Sequence, residues 1–217
     1  MTQELDLSRS RLTTPRAASI AGILFSLLYM AVIILIRSAV PEKPEELGDW
    51  LSTGWKTVTL ALNLLPFAGI AFLWFIGVVR DRLGEHEDRF FATVFLGSGL
   101  LFLAMLFASA ALAGGILTMY GANPELLIQS GIYTFGRMVT YGLMNVYTLK
   151  MAGVFMMSLS TLTLRTGIAP RWMAILGFVS AIFLILSLGL ITWAPIVFPL
   201  YVLMISIYIL VANYRRR

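Results

Sequence analysis

Long apolar stretches separated by short polar segments run along most of this 217-residue chain. The pattern is clearest at Trp74–Gly99, where two apolar runs flank the charged segment Arg80–Arg89. About twenty apolar residues on either side of a short polar turn are typical of two helices that cross a membrane as a hairpin. Because the pattern recurs, the sequence predicts an all-α integral membrane bundle of six transmembrane helices.

The predicted spans divide the chain into one membrane domain with a polar tail at each end. We predict a disordered cytoplasmic tail for residues 1–16 and a six-helix transmembrane domain for residues 17–214. Residues 215–217 are predicted to form a basic cytoplasmic tail. A turn at Gly121-Ala122-Asn123-Pro124, followed by a short external helix that starts at Pro124, is predicted before the fourth span. The spans are predicted at 17–36, at 57–79, from Phe90 or Phe91 past Leu112, over about twenty residues ending near Thr163, at 172–193 and at 196–214.

Composition supports the membrane assignment. The chain is 59% hydrophobic and 12% charged, with a mean hydropathy of +0.87. A soluble domain is about half apolar and a quarter charged, so the excess apolar surface must face lipid. The net charge of +5 comes from basic residues at predicted helix ends, a distribution that does not indicate nucleic-acid binding.

The basic residues also predict an orientation. With six spans both termini lie on one side of the bilayer, and that side collects eleven of the 16 lysines and arginines. Cytoplasmic loops carry an excess of basic residues. The sequence therefore predicts a multi-pass protein of the cell inner (plasma) membrane with both termini in the cytoplasm.

The reactive residue types are scarce. There is no cysteine, the single histidine is His86 in a predicted loop, and all eleven acidic residues lie outside the predicted spans. Proton- and many cation-coupled carriers place a carboxylate inside the membrane, so that class is disfavoured. No nucleophile–base pair or metal-ligand spacing is present. The sequence therefore predicts no catalytic residue, no metal site and no cofactor.

The fourth span carries a polar pattern. Arg137, Tyr141, Asn145 and Thr148 are spaced so that they share one helical face. This face predicts a polar cavity or ligand site, and the alternatives are interhelical hydrogen bonding or an extension above the bilayer. Lys150 lies nearly opposite, where its side chain either extends to the membrane surface or meets an anionic ligand, a lipid headgroup or a partner subunit.

Pro66 interrupts the second span three residues after Asn63. A proline inside a helix removes one backbone hydrogen bond and bends the helix. Asn63 and Pro66 are therefore a candidate hinge, with simple tolerated bending as the alternative.

The charged segment between the second and third spans has two interpretations. It is either a cytoplasmic docking loop for another protein or a set of helix ends whose charges neutralise each other. Its candidate docking residues are Arg80, Asp81, Arg82, Glu85, His86, Glu87, Asp88 and Arg89.

Two stretches, Asn63–Phe75 (NLLPFAGIAFLWF) and Arg80–Phe91 (RDRLGEHEDRFF), resemble a group of small bacterial multi-pass membrane proteins of unknown function. The resemblance covers about the middle third of the chain. It implies the membrane topology and brings no reaction or ligand.

Two hypotheses on function follow from these patterns. The first is a non-enzymatic scaffold or accessory subunit, embedded in the lipid bilayer and packed in a homo-oligomer or against another membrane protein. The second is a transporter or channel for a small or anionic solute, suggested by the Pro66 bend, the Arg137 face and Lys150. An intramembrane enzyme ranks third, because no residue pair supports it.

Overall fold

A computed structural model describes residues 14–41, 50–83, 89–187, 189 and 191–215. This described part is 92% helical and contains no β-strand. Its elements, in chain order, are α1 (Thr14–Ala39), α2 (Trp50–Leu83), α3 (Arg89–Ala122), α4 (Pro124–Gln129), α5 (Ile132–Gly142), a π-helical turn (Leu143–Tyr147), α6 (Thr148–Thr166), α7 (Arg171–Leu186), a 3-10 turn (Ala194–Ile196) and α8 (Val197–Arg215).

Four of the described helices are long and apolar enough to cross a membrane. These spans are Ser19–Ala39, Trp50–Arg80, Thr93–Ala122 and Ala194–Ala212. Their length and composition are typical of a membrane-embedded, multi-pass protein. The all-helical prediction is thus confirmed, whereas the count of six spans and the side of the termini stay predictions.

The fourth predicted span differs from a regular transmembrane helix. α5, the π-helical turn and α6 follow one another without a break, so residues 132–166 form one helical rod. A π-helical turn is rare in proteins, and it contains one residue more than an α-helical turn. The Thr148 hydroxyl donates to the Leu143 carbonyl five residues earlier, at 2.7 Å, and so satisfies a backbone acceptor at this turn.

The fifth predicted span is shorter in the structure than in the sequence analysis. The prediction of a helix over 172–193 is wrong at its end, because α7 stops at Leu186. Ser187 has an extended backbone with ψ 122°, and Gly189 has φ 78°, a left-handed conformation that glycine adopts without strain. At 16 residues, α7 is about 24 Å long, less than the hydrocarbon core of a bilayer.

The segment before the fourth span contains the predicted short helix, but the predicted turn is too long, because α3 continues through Gly121 and Ala122. Asn123 precedes α4, and its side-chain oxygen accepts a hydrogen bond from the Leu126 amide at 3.0 Å. Pro124 occupies the first turn, where its missing N–H has no cost. Leu127 of α4 packs with Leu51, Ile116 and Tyr133 in a small cluster that closes this end of the bundle.

The centre of the bundle is filled by aromatic side chains, which we name the aromatic core. Its ring contacts include Phe95–Phe155 at 4.5 Å, Phe25–Phe72 at 4.6 Å and Phe102–Phe198 at 4.8 Å between centroids. Such edge-to-face and offset pairs add attraction beyond the area that they bury. The aromatic core comprises Phe25, Tyr29, Phe72, Phe75, Phe95, Phe102, Phe155 and Phe198, contributed by α1, α2, α3, α6 and α8.

Close helix crossings depend on glycine at specific points. A Cβ on Gly177 of α7 would overlap the hydroxyl oxygens of Ser160 on α6 and Tyr201 on α8. Those two hydroxyls are hydrogen-bonded to each other at 2.8 Å. Interhelical polar contacts beside a small residue are typical of membrane helix packing. Gly177 therefore lets α7 pack against a buried polar pair.

Candidate functional site

A cavity lies at the end of the bundle where α1 ends and α2 begins. Its volume is about 70 Å³, and α1, α2, α3, α5 and the π turn all contribute to its walls. Its lining residues are Ile36, Arg37, Val40, Pro41, Trp50, Val58, Leu62, Leu65, Leu106, Ser109, Ala110, Ala113, Ile116, Arg137, Thr140, Tyr141, Met144 and Asn145.

Two arginines give one side of the cavity its charge. Arg37 donates through Nη2 to the Asn145 side-chain oxygen at 2.6 Å, and the Asn145 amide donates to the Tyr141 carbonyl at 3.1 Å. Arg137 is only 8% exposed and donates through Nη2 to the Pro41 carbonyl at 2.6 Å. Both arginines also make further interactions. We call the side formed by α1, α5 and the π turn the cationic wall.

The guanidinium of Arg137 is also held by an aromatic ring. Its Cζ atom lies 5.7 Å from the Trp50 ring centroid, a cation–π distance, and the Trp50 indole N–H donates to the Tyr133 hydroxyl at 2.9 Å. The start of α2 therefore helps to fix the position of Arg137 on α5.

Further polar contacts connect the cationic wall to its surroundings. The Tyr141 hydroxyl donates to the Gly189 carbonyl at 2.8 Å, and the Ser109 hydroxyl donates to the Thr140 carbonyl at 3.2 Å. The Gly189 bond ties the irregular segment after α7 to the cavity wall. Non-helical backbone of this kind is stable at membrane depth where protein surrounds it.

The opposite side of the cavity is almost wholly aliphatic, and we call it the aliphatic wall. It consists of Val58, Leu62 and Leu65 on α2 and Leu106, Ala110, Ala113 and Ile116 on α3. The alanines lie in the stretch 108–115, which is rich in small residues (ASAALAGG). Because small side chains fill little space, this stretch of α3 leaves room for the cavity.

The inner end of the cavity is closed. Leu65 and Leu106 line it there, and both are almost fully buried in the same hydrophobic cluster as the aromatic core. On α2 the residues that line the cavity lie between Trp50 and Leu65. Beyond this point the aromatic rings fill the bundle. The cavity is therefore a dead end within the described residues.

The structure separates the predicted polar face into two parts. Arg137, Tyr141 and Asn145 all line the cavity. Thr148 does not, because it is fully buried and its hydroxyl bonds back to Leu143. Asn145 belongs to the π turn, which changes the helical register before Thr148 in a way that regular helix spacing does not anticipate.

Lys150 lies outside the cavity. Its Nζ atom donates to the Ile185 carbonyl at 3.5 Å, and the side chain is half-buried. Ile185 belongs to the last turn of α7, where carbonyl groups lack helical partners and the helix dipole favours a positive charge. This position gives Lys150 a structural partner at the end of the short helix α7.

The candidate hinge lies away from the cavity. α2 continues through Pro66 as one helix, and Asn63 and Pro66 are both exposed on its outer face. The cavity-facing residues of α2 are on the other side. The hinge stays a prediction, and it has no contact with the cavity lining.

The predicted docking loop is described only in part. Arg80 is an exposed residue of α2, Asp81 and Arg82 continue that helix, and Arg89 begins α3. Glu85, His86, Glu87 and Asp88 lie outside the described residues. The docking role stays a prediction.

Sequence reasoning missed the second arginine and the aliphatic wall. The charge pattern identifies Arg37 only as a basic residue at a helix end. In the structure, its position at the end of α1 brings it to Asn145. The available signal was the run of small residues at 108–115, because small residues facing a helix that carries arginine leave space beside a charge.

The lining of the cavity offers hydrogen-bond donors beside apolar side chains. Among the described residues no group of three or more His, Cys, Asp or Glu side chains could hold a metal ion. The lining combines two guanidinium groups, an amide and hydroxyls with aliphatic side chains. Guanidinium groups bind carboxylate or phosphate oxygens through paired hydrogen bonds.

Comparisons with protein-family models, with curated proteins and with solved structures found no match to this chain. The evidence on function is therefore the chemistry of the residues that line the cavity.

Proposed function

We propose that this chain is a non-enzymatic integral membrane protein that binds a small anionic solute at one end of its helix bundle. The observation that carries the proposal is the pair of arginines, Arg37 and Arg137, on one wall of a single cavity. In this proposal the chain acts as a solute-binding subunit of a membrane assembly.

Electrostatics support an anionic ligand. Near a protein surface, the attraction between opposite charges is about four times stronger than in bulk water, and it grows with burial. The Asn145 side-chain oxygen and the Pro41 carbonyl oxygen accept hydrogen bonds from the two guanidiniums and so orient them. A guanidinium has five N–H donors in a fixed fork, so it can keep these bonds and still contact an anion.

The aromatic core favours binding over conduction. A channel needs a continuous polar route past the middle of the bundle, and the residues that line the cavity on its core side are Leu65 and Leu106. Polar solutes would meet only rings beyond that point, where unpaired polar groups are costly. This arrangement supports a receptor-like subunit more than an open channel.

Topology completes the proposal. Six crossings with both termini in the cytoplasm would agree with the bias of eleven basic residues to five. α1 would then run outward, and the cavity at its end would open on the outer face of the cell inner membrane. The ligand would be a solute from outside the cytoplasm.

Binding of simple anions to the full-length protein in lipid nanodiscs tests this function. We expect isothermal titration calorimetry to detect at least one of acetate, butanoate and inorganic phosphate, and no binding of choline as a cationic control. Arg137→Gln should weaken anion binding about 10- to 100-fold, the range for hydrogen bonds to a charged group. Lys150→Gln, which removes a cation outside the cavity, should leave it unchanged.

Two results would overturn the function. The first is that no anion binds to the wild type, which is expected if the chain's own carboxylates neutralise both guanidiniums. If liposomes containing the protein show rapid anion flux that Arg137→Gln abolishes, the chain is a conduit instead of a binding subunit.

A further inference from the structure

We infer that the anionic solute is a short aliphatic carboxylate, held with its carboxylate on the cationic wall and its hydrocarbon chain on the aliphatic wall. This inference rests on the proposed anion-binding function and adds the class of ligand. It follows from two features of the cavity, its two chemically different walls and its size.

The two walls run side by side along the cavity. α1, α5 and the π turn carry both arginines, whereas α2 and α3 contribute Val58, Leu62, Leu65, Leu106 and Ile116. An inorganic anion would use only the first wall and would leave the second against water. A ligand with an anionic end and an apolar side uses both, and burial of its apolar side is favourable.

The size of the cavity limits the length of the ligand. One water molecule needs about 10–15 Å³ of such space, so 70 Å³ holds about five water-sized groups. A carboxylate with a chain of three or four carbons has about five to seven non-hydrogen atoms. A long-chain fatty acid or a phospholipid has too many atoms to be enclosed.

The experiment is a chain-length series on the wild-type protein in nanodiscs, measured by isothermal titration calorimetry with acetate, butanoate, hexanoate and decanoate. Each methylene that enters the cavity should tighten binding about fourfold, so butanoate should bind about 15-fold more tightly than acetate. The gain should stop or reverse by decanoate, because the added carbons cannot enter.

A pair of α3 variants locates the effect. Ala113→Leu fills the space beside the aliphatic wall, while Ala111→Leu adds the same side chain at an exposed position two residues away that does not line the cavity. Ala113→Leu should remove the preference for butanoate over acetate. Ala111→Leu should keep it at the wild-type value.

The outcomes separate this inference from the function on which it rests. If acetate or phosphate binds as tightly as butanoate, the anion site stands and the aliphatic ligand is wrong. If affinity continues to rise through decanoate, or if both α3 variants behave alike, the chain does not enter the cavity and the inference is overturned. If no anion binds, the proposed function itself fails.

Discussion

The aromatic core and the cavity share α1, α2 and α3, yet they differ in how the space between the helices is used. At the core, α2 and α3 contribute Phe72 and Phe102, whose rings contact each other at 5.2 Å between centroids. Farther along the same helices, α3 carries small residues, and the space beside it stays open. The change occurs within α3 between Phe102 and Ala110, about two turns of helix.

This contrast indicates that the aromatic core provides most of the bundle's packing stability, whereas the cavity end provides the binding groups. Large rings fill space without polar atoms, so the core needs no hydrogen bonds to be stable. The cavity end has less packing, and there the helices are joined by side-chain bonds, such as those of Arg37 with Asn145 and Arg137 with Pro41. Substitutions in the two regions should therefore differ in what they change.

The largest expected effect is on the core. Phe72→Ala removes a fully buried ring that contacts the rings of Phe25, Phe102, Phe155 and Phe198, and should lower the free energy of unfolding by about 3–5 kcal/mol. Phe67→Ala, on the same helix but 62% exposed, should cost far less. Circular dichroism during SDS-induced unfolding in mixed micelles measures the free energy of unfolding of both variants. Similar losses of stability in the two would contradict the conclusion that the aromatic core contributes most of the packing stability.

Asn145→Ala should have the next largest effect and should act on both stability and binding. It removes the 2.6 Å bond that holds Arg37 at the cavity, and a hydrogen bond to a charged group contributes about 1.5–3 kcal/mol. Anion affinity should fall as well, because Arg37 loses its fixed position. Asn63→Ala, an exposed asparagine on α2, is the matched control and should change neither the unfolding curve nor the titration.

Gly177→Ala should destabilise the bundle without touching the cavity. The added methyl group would displace the hydrogen-bonded hydroxyls of Ser160 and Tyr201, and overpacking of this kind costs about 1–3 kcal/mol. Gly77→Ala, with no neighbouring heavy atom within 4 Å of the new Cβ, should be neutral or stabilising by up to about 1 kcal/mol. The unfolding assay measures the stability of both variants, and the butanoate affinity of both should equal that of the wild type. Equal stability of the two variants would show that α7 packs loosely.

The smallest expected effect belongs to Lys150. Lys150→Gln weakens a 3.5 Å contact with the Ile185 carbonyl from a half-buried position, so the free energy of unfolding should change by about 0.5 kcal/mol or less. The same unfolding assay measures it. A loss as large as that of Asn145→Ala would mean that the end of α7 depends on this cation.

The helical class and most helix positions could be predicted from hydrophobic periodicity alone. Long apolar runs give α1, α2, α3 and α8 directly, because each is long enough to cross a bilayer. The end of α7 could not be predicted in this way. Its sequence stays apolar through Trp193, and the break depends on the conformation of Ser187 and Gly189, which hydropathy does not report.

The candidate site was predictable only on the helix that carries its pattern. Arg137, Tyr141 and Asn145 share a face by simple spacing, and all three line the cavity. Arg37 comes from a helix far away in sequence, so only the fold brings it to Asn145. Thr148 was misplaced because the π turn shifts the register, and no propensity rule identifies such a turn.

The π-helical turn sets the rotational phase of everything that follows it. If the same residues wound as a regular α-helix instead, the extra residue would turn the downstream helix by about 100° about its axis. Phe155 would then swing out of the ring cluster while Arg137 kept its place. One surplus residue between Leu143 and Tyr147 thus lets a single helix present arginine at one end and phenylalanine at the other to the same interior.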